Sequence, residues 1–432
     1  MFSVHRTAVS PFPLPAAFLL PALLLPTIAS PAAPAPEPMQ PTPLIDVATP
    51  AAPGSLAPGF AVDSFNNTIV MSWLEQVPGG HALRFARFDS ESFGPVREIA
   101  RGEDWFANWA DTPAVRIGDN GVWLAHWLEK SADATYAYDI RLARSSDGGR
   151  TWTAATTPHD DGTPTEHGFV SYFPAAAGAG MTDPDAVGMA WLDGRRTGRG
   201  GPMTLRTATV RADGTIESPE VLDERVCDCC RTAGAGTALG PVVVFRDRTE
   251  DRDGNEIRDI SIVRRTDAGW SDPVPVHRDG WNIAGCPVNG PDVIANGMKV
   301  VVAWFTMAGG VPRVRLALSD DAGATFEAPV TLSEGSALGR VRLAWLNGGF
   351  ALAWMDQPDG SRALMRLARF DARGEKRDER VLGELSAGRI SGFPQIAVAA
   401  NDRLLVAWTG TERASDGSAA PRVRTGLLQF AD

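Results

Sequence analysis

The sequence predicts an all-β protein built around a single β-propeller of seven blades, with six blades as the alternative. Two observations predict this fold. Beyond residue 55, short apolar stretches alternate with Gly-, Asp- and Pro-rich turns, without an amphipathic helix pattern. One apolar stretch ending in an aromatic residue also recurs roughly every 50 to 60 residues, the length of one four-stranded blade. The seven aromatic residues are Trp73, Trp127, Trp191, Phe245, Trp304, Trp354 and Trp408.

Each repeat contains its strands in one order. An inner strand A precedes the aromatic strand B, strand C follows with alternating polarity as in "HALRFARF" (81–88), and a weaker strand D ends the repeat. The last repeat stops after strand C, whereas the early stretch "PLIDVAT" (43–49) has no repeat of its own. We therefore expect the early stretch to supply the outer strand of the last blade and close the ring, which hides the sheet edges.

The first 32 residues have the pattern of a secretory signal peptide. His5 and Arg6 precede a short apolar run that proline residues interrupt, which makes it a poor membrane span. Residues 33–55 form a Pro/Ala-rich linker and the closing strand, and residues 56–432 form the propeller domain. We expect a secreted or periplasmic monomer that does not insert into a membrane after the signal is removed.

The formal net charge of −11 bears on the partner. An acidic protein is repelled by the phosphates of nucleic acid, so nucleic acid is excluded as a partner. The remaining ligand classes are a small molecule, a glycan or a metal ion.

Two turns share a pattern of Ser, Asp, Gly, Thr and an aromatic residue. They are "SSDGGRTW" (145–152) and "LSDDAGATF" (318–326), with a degenerate copy in "RTDAGWSDP" (265–273), each between strands C and D of its repeat. Asp accepts hydrogen bonds from turn amides, Gly supplies positive φ, and the aromatic ring packs between strands. We expect these segments to be structural turns.

These turns resemble the Asp-box of the sialidase (BNR-repeat) superfamily, and the resemblance covers roughly residues 60 to 430. It implies a propeller whose Asp-boxes lie on the face opposite the ligand site. A sialidase also needs an Arg-Ile-Pro-type motif and a late Tyr nucleophile. The chain has no such motif before its first Asp-box, and its tyrosines are Tyr136, Tyr138 and Tyr172.

A carboxylate follows the strand B aromatic residue by two positions in five repeats, namely Glu75, Glu129, Asp193, Asp247 and Asp356. Period 2 places each acid on the same side of the strand as its aromatic residue. Each acid either ties down its own B–C loop or contributes to catalysis or cation binding. The catalytic candidates are Glu129, Asp193, Asp247 and Asp356. The ligand-binding candidates on the same rim are Arg195, Arg196, Arg246, Arg248, Trp109, Asp111, Tyr172, Arg231 and Asn289.

The four cysteines are Cys227, Cys229, Cys230 and Cys286, and the repeat alignment places them all at the channel mouth. Disulfides are one interpretation, with Cys227 paired to Cys286 and Cys229 paired to Cys230. A Cu or Zn site with His167 as an additional ligand is the other. A weaker calcium site is suggested by Asp251, Asp253, Asn255 and Asp259.

Two functions follow. The first is an exported propeller, without hydrolytic activity, that binds a ligand or soft metal through the cysteine cluster. The alternative is a sialidase-like exo-glycosidase that uses the rim carboxylates as acid and base, with arginines holding an acidic sugar.

Overall fold

The structure is a computed structural model that describes residues 44–63, 66, 68–118, 121–175, 186–360, 362–413 and 419–430. The predicted signal peptide and residues 33–43 of the predicted linker lie outside these residues. The chain forms a seven-bladed β-propeller, as the aromatic repeat predicts.

Blades 1 to 4 occupy the first part of the ring. Blade 1 contains β2 (Ser55–Asp63), β3 (Thr68–Val77), β4 (Gly80–Phe88) and β5 (Arg97–Gly102). Blade 2 contains β6 (Ala114–Ile117), β7 (Trp123–Lys130) and β8 (Tyr138–Ser145). Blade 3 contains β9 (His167–Pro174), β10 (Val187–Asp193), β11 (Thr204–Val210) and β12 (Ile216–Asp223). Blade 4 contains β13 (Ala233–Thr237), β14 (Gly240–Arg246), β17 (Ile260–Thr266), β18 (Gly269–Trp270) and β19 (Val274–Pro275), with a side hairpin of β15 (Thr249–Glu250) and β16 (Glu256–Ile257).

Blades 5 to 7 complete the ring. Blade 5 contains β20 (Asp292–Asn296), β21 (Lys299–Thr306), β22 (Arg313–Ser319) and β23 (Val330–Glu334). Blade 6 contains β24 (Ala337–Leu346), β25 (Gly349–Asp356), β26 (Ala363–Asp371) and β27 (Lys376–Leu385). Blade 7 contains β28 (Gln395–Val398), β29 (Leu404–Arg413), β30 (Ala419–Leu428) and β1 (Ile45–Val47). Short 3-10 helices cover Thr197–Arg199, Ala308–Gly310, Arg389–Ser391 and Ala400–Asp402. Within the described ranges, no helix has the length and apolar character that crossing a membrane requires.

The ring is closed by the N-terminal strand. β1 pairs antiparallel with β30, with Ile45 opposite Leu427 and Val47 opposite Thr425. The outer strand of the last blade therefore comes from the start of the domain, as the incomplete final repeat predicts. This arrangement joins the two ends of the domain within one sheet and covers an edge that would otherwise be unpaired.

The strand B aromatic residues form the packing between blades. Trp73, Trp191, Trp304 and Trp354 are each at most 1% exposed, and Phe245 fills the equivalent position in blade 4. Each large side chain contributes roughly 1.5–3 kcal/mol when it is fully buried. One cluster of blades 5 and 6, for example, joins Trp354 to residues of both sheets. The recurring apolar stretch thus builds the core.

The two Ser-x-Asp turns have matching geometry. In the first, the Asp147 carboxylate accepts hydrogen bonds from the backbone N–H groups of Arg150 and Thr151, each at 2.9 Å, and from the Ser145 and Thr151 hydroxyls at 2.8 Å. In the second, Asp321 accepts the equivalent bonds from Ser319 and Thr325. Both segments follow the third strand of their blade, and their carboxylates serve the turn itself.

Candidate functional site at the channel mouth

The innermost strands of the seven blades surround a central channel with a volume of about 360 Å³. Its wall carries charged side chains in alternate blades, with Arg116 on β6, Arg231 just before β13 and Arg342 on β24. Asp292 lies beside Arg342 at 3.1 Å. Burial, together with the charge of Arg342, lowers the pKa of Arg231 to about 9. The channel therefore concentrates positive charge in a confined space.

The channel mouth holds a stack of aromatic and guanidinium groups. Trp109 stacks on Phe393 with ring centroids 6.0 Å apart. The Arg340 guanidinium lies over Trp109 at 4.8 Å, and Arg231 lies over Phe393 at 5.0 Å. Such cation–π contacts are worth about 0.5–2 kcal/mol each. Trp109 and Arg231, both predicted ligand-binding residues, are therefore part of one stacked assembly.

The backbone beside this stack is strained at repeated positions. Ala57, Phe169, Val288 and Arg340 all have left-handed φ values, between 49° and 57°, just before or at the start of the inner strand of their blades. A non-glycine residue in this region costs on the order of 1 kcal/mol or more. A residue with left-handed φ interrupts the regular alternation of side chains along a strand, so the side chains beside it take directions that a regular strand would not give them.

The four cysteines meet at this mouth. Cys229 and Cys286 form a disulfide across 57 positions of sequence. Cys227 and Cys230 are free, each 1% exposed, and their sulfur atoms are 3.2 Å apart. The sulfur of Cys227 also lies 3.9 Å from that of Cys229. Both disulfide pairings predicted from the sequence are wrong, because Cys227 faces Cys230, and Cys286 reaches Cys229 instead.

The environment of Cys227 favours a thiolate. Its hydrogen bond with Cys230 is the largest influence, and the Cys229 backbone with nearby Arg246 and Arg258 adds to it, so that the pKa of Cys227 falls to about 6 although burial raises it. Burial and the neighbouring Cys227 raise the pKa of Cys230 well above its ordinary value. One proton shared between two sulfurs explains these opposite directions.

Arg246 and Asn289 form the scaffold beneath the cysteines. Arg246 is 1% exposed and donates hydrogen bonds to the backbone carbonyls of Asn289, Arg258 and Phe305 at 2.6–3.0 Å. The Asn289 side chain donates to the Leu338 carbonyl and accepts from the backbone of Arg340, both at 2.9 Å. These two predicted ligand-binding residues thus tie blades 4, 5 and 6 together at the mouth.

The rim carboxylates are mostly engaged within their own blades. The indole N–H groups of Trp73, Trp191 and Trp354 donate to Glu75, Asp193 and Asp356 respectively, at 3.0–3.2 Å. In blade 5, where Thr306 replaces the acid, Asp279 from the preceding crossover accepts the bond from Trp304 at 2.7 Å. These bonds agree with the first of the two roles considered for the acids, in which each acid holds its own B–C loop in place. Their role in catalysis remains a prediction.

The remaining predicted rim residues have separate partners. Asp247 accepts the Ser261 hydroxyl at 2.7 Å, and Glu129 lies 3.8 Å from Arg141 with a half-exposed side chain. Arg196 pairs with exposed Glu224, while Arg248 pairs with Glu256 at 2.6 Å. Each of these side chains is thus paired with a different group. These contacts do not join them into a shared acid–base centre.

Asp111 belongs to a buried chain of polar groups. The Tyr138 hydroxyl lies 2.8 Å from Asp111 and 2.7 Å from Glu166. One hydroxyl proton serves only one of these contacts, so one carboxyl group must carry a proton of its own. Burial raises the pKa of Asp111 to about 7 and that of Glu166 to about 8. Tyr172, on the neighbouring strand, bonds instead to His126 Nδ1 at 2.9 Å.

His167 lies in a second cluster and faces carboxylates. Its ring stacks on His159 with centroids 3.9 Å apart, and its Nε2 atom lies 3.2 Å from Asp161 and 3.9 Å from Asp193. Among the described residues, His167 belongs with Asp161 and Asp193 to one group that could hold a metal ion. The sulfur atoms of Cys227, Cys229 and Cys230 form a separate group. His159 and Asp161 were missed by sequence reasoning, since "TPHDDGTPTEHG" contains two His and two Asp but no spacing typical of a metal site.

The predicted calcium residues separate in the structure. Asp251 accepts hydrogen bonds from the backbones of Asp253 and Asn255, at 2.9 and 2.8 Å, within an exposed turn. Asp259 is buried and accepts the backbone N–H groups of Gly280 and Trp281. The two acids therefore stabilise different pieces of backbone, and calcium binding remains a prediction.

No family model and no curated protein matches the chain. Similar solved structures include a protein of unknown function from Dyadobacter fermentans, with 13% identity and a TM-score of 0.49 over 90% of this chain and 99% of that one. A PL25 ulvan lyase has 14% identity and a TM-score of 0.44 over 74% and 80% of the two chains. A neuraminidase-like protein of A/flat-faced bat/Peru has 8% identity and a TM-score of 0.42 over 90% and 88%.

Proposed function

We propose that this protein is an exported member of the Asp-box propeller superfamily that binds a thiophilic metal ion, Cu(I), through Cys227 and Cys230. The carrying observation is the pair of free, buried thiols with sulfur atoms 3.2 Å apart. The two Ser-x-Asp turns, with equivalent hydrogen bonds in blades 2 and 5, support the superfamily assignment.

The sulfur separation can accommodate a metal after a small movement. A thiolate sulfur lies about 2.3 Å from a bound zinc ion and at a similar distance from copper, so two such ligands stand roughly 4 to 4.5 Å apart. Cys227 and Cys230 would therefore separate by about 1 Å when a metal enters. Rotation of two short side chains supplies such a movement without rearranging the strands.

The number of available thiols favours copper over zinc. A structural zinc site requires four ligands, whereas Cys229 and Cys286 are joined in a disulfide and His167 faces Asp161. Cu(I) is selected by soft thiolate ligands and is satisfied by two of them. Arg246 and Arg258, which lie close enough to Cys227 to lower its pKa, would offset the negative charge of a copper bis-thiolate.

An anaerobic Cu(I) titration against a chromophoric chelator tests the proposal. We expect one equivalent of Cu(I) per chain in the wild type, and at least about 100-fold weaker binding in Cys227→Ser and Cys230→Ser. The double variant Cys229→Ser/Cys286→Ser is the matched control, because it removes the neighbouring disulfide without adding a third free thiol and leaves Cys227 and Cys230 in place. The proposal is wrong if the wild type binds no Cu(I), or if both single serine variants bind it as tightly as the wild type.

A second candidate function is favoured by the channel arginines. Arg231 and Arg342 line the same confined channel, and the pKa of Arg231 is lowered by burial first and by Arg342 second. Two guanidinium groups that repel each other are stabilised by an anion between them, such as the carboxylate of an acidic sugar. An acidic sugar is the substrate class of the sialidase-like alternative, so this arrangement supports that alternative.

Calorimetric titration with free N-acetylneuraminate and glucuronate separates this candidate from the first. Binding of an acidic sugar that is lost in Arg231→Gln, with Cu(I) binding unchanged, would support the channel site. A fluorogenic sialoside assay on the wild type and on Asp193→Asn then decides whether binding leads to hydrolysis. Absence of binding to both sugars would exclude these two sugars as channel ligands.

A further inference from the structure

A second group of possible metal ligands, distinct from the three sulfur atoms, lies between blades 2 and 3. It contains His167 at the start of β9, Asp193 at the end of β10, and Asp161 from the crossover between the blades. His167 and Asp193 are fully buried, and the side chain of Asp161 is 9% exposed. Three oxygen and nitrogen ligand atoms from these residues fall within 4.8 Å of one another.

The hydrogen bonds of His167 define its tautomer. Its Nδ1 atom lies 3.2 Å from the carbonyl oxygen of Thr165, which can only accept, so Nδ1 carries the proton. A ring with its proton on Nδ1 alone presents a lone pair at Nε2. This atom is buried without a hydrogen-bond partner in the described structure, and so is Oδ1 of Asp161, 3.2 Å away. His159 Nδ1 and Arg195 lie 3.5 and 3.3 Å from this Asp161 oxygen without completing a hydrogen bond to it. A cation between Nε2 and Oδ1 would satisfy both atoms.

The surrounding residues hold these atoms in place from outside. His159 Nε2 accepts the backbone N–H of Ile140 at 3.3 Å, so its protonated Nδ1 is directed towards Asp161 at 3.5 Å. Arg195 binds Asp193 through two nitrogens at 2.7 and 2.9 Å. Metal sites typically show this second layer, in which a carbonyl orients the histidine and donors fix the carboxylates.

The charge of the cluster matches a divalent cation. Three carboxylates, Asp139, Asp161 and Asp193, lie within 4 Å of the His167 ring nitrogens. Arg195 contributes one positive charge, so the carboxylates outnumber the arginine in this cluster. An excess of carboxylates among buried groups is unfavourable unless a cation balances it.

We propose that Asp161, His167 and Asp193 bind a divalent transition-metal ion, Mn²⁺ or Zn²⁺, at a site independent of the cysteine cluster. One imidazole and two carboxylates suit these ions, and three protein ligands leave coordination positions open for water or substrate. Arg195 and the exposed Asp160, 3.6 Å apart, stand at the solvent side of the cluster. An anionic group of a substrate that approached the metal from this side would meet Arg195 as well.

Manganese is the probe that distinguishes this site from the thiols. Protein carrying Cys227→Ser and Cys230→Ser, freed of metal by a chelator, is titrated with Mn²⁺ and followed by electron paramagnetic resonance, with Zn²⁺ followed by calorimetry. We expect one saturable site per chain. His167→Gln and Asp161→Asn should each weaken binding at least tenfold, and the Asp161 variant changes a residue nearer the surface in case the first does not fold.

His126 supplies the matched control. It is equally buried in the neighbouring blade, but both of its ring nitrogens have partners, Tyr172 and the Thr112 carbonyl. His126→Gln should therefore leave Mn²⁺ binding unchanged. The proposal fails if neither ion binds in a saturable manner, or if binding survives in both His167→Gln and Asp161→Asn. Because the two free cysteines are absent from this background, either result is independent of Cu(I) binding by the wild type.

Discussion

The indole N–H of Trp354 donates a hydrogen bond of 3.2 Å to the carboxylate of Asp356, two residues further along the same strand. Asp356 also accepts the Ser333 hydroxyl at 2.6 Å and pairs with Arg366 at 2.7 Å. The tryptophan that builds the core and the acid that follows it are therefore one structural unit. Equivalent bonds join Trp73 to Glu75 and Trp191 to Asp193.

This unit predicts unequal effects of removing two rim acids. Asp356→Ala leaves a buried indole N–H and a hydroxyl without their acceptor and removes one of the two carboxylates that pair with Arg366. This change should cost about 2–4 kcal/mol of unfolding free energy. Glu129→Ala removes a half-exposed acid that lies 3.8 Å from Arg141, and should cost less than about 1 kcal/mol. Urea unfolding of the two variants measures the difference. Equal losses would show that the acids do not anchor their loops.

The blade repeat could be predicted because it is a local pattern. Every strand B places an apolar run and an aromatic residue in the core, and the missing fourth strand of blade 7 left the 45–47 segment as its only candidate. The Ser-x-Asp turns were equally local, since Asp147 bonds to Ser145 and Thr151, two and four residues away in the chain.

The candidate sites were harder to predict because they depend on loop geometry. The repeat alignment placed Cys227 and Cys286 at equivalent positions, yet the spacing of neighbouring cysteines does not determine which side chain turns towards which. Val288, two residues after Cys286, has a left-handed backbone conformation that its residue type does not predict. His167 was placed on the correct rim, but its partner Asp161 comes from a crossover without a periodic pattern.

The Cys229–Cys286 disulfide should stabilise the propeller by restricting the unfolded chain. For a loop of 57 residues, the chain-entropy model gives a contribution of about 4 kcal/mol. Cys286→Ser should lower the unfolding free energy by up to that amount under oxidising conditions. In excess reductant, wild type and variant should unfold at the same urea concentration. A difference that persists in reductant would instead assign the effect to packing of the Cys286 side chain.

His126 should make the protein less stable in mild acid. Burial is the main cause that lowers its pKa from 6.5 to about 3 in the folded state. Between these values the unfolded chain binds a proton at this residue and the folded protein does not. The free energy of unfolding therefore falls by about 1.4 kcal/mol per pH unit as the pH decreases. The difference in unfolding free energy between wild type and His126→Gln, measured at pH 7.5, 5.5 and 4.5, should follow this slope. A pH-independent difference would contradict the buried neutral imidazole.

Asp111 should have the opposite dependence. Burial, as the largest cause, raises its pKa from 3.8 to about 7, against the hydrogen bonds from Phe169 and Tyr138. The folded protein therefore keeps a proton that the unfolded chain loses, and this stability is present at low pH and lost as the pH rises from about 4 to about 7. Asp111→Asn replaces the protonated acid by a neutral group of the same shape, whose amide can still donate to Tyr138 and accept from Phe169. Relative to the wild type, the variant should gain about 1.4 kcal/mol per pH unit across that window and change little above it. Urea unfolding from pH 4 to 8 measures this gain, and a variant that loses stability uniformly across the range would show that Asp111 is ionised in the folded protein.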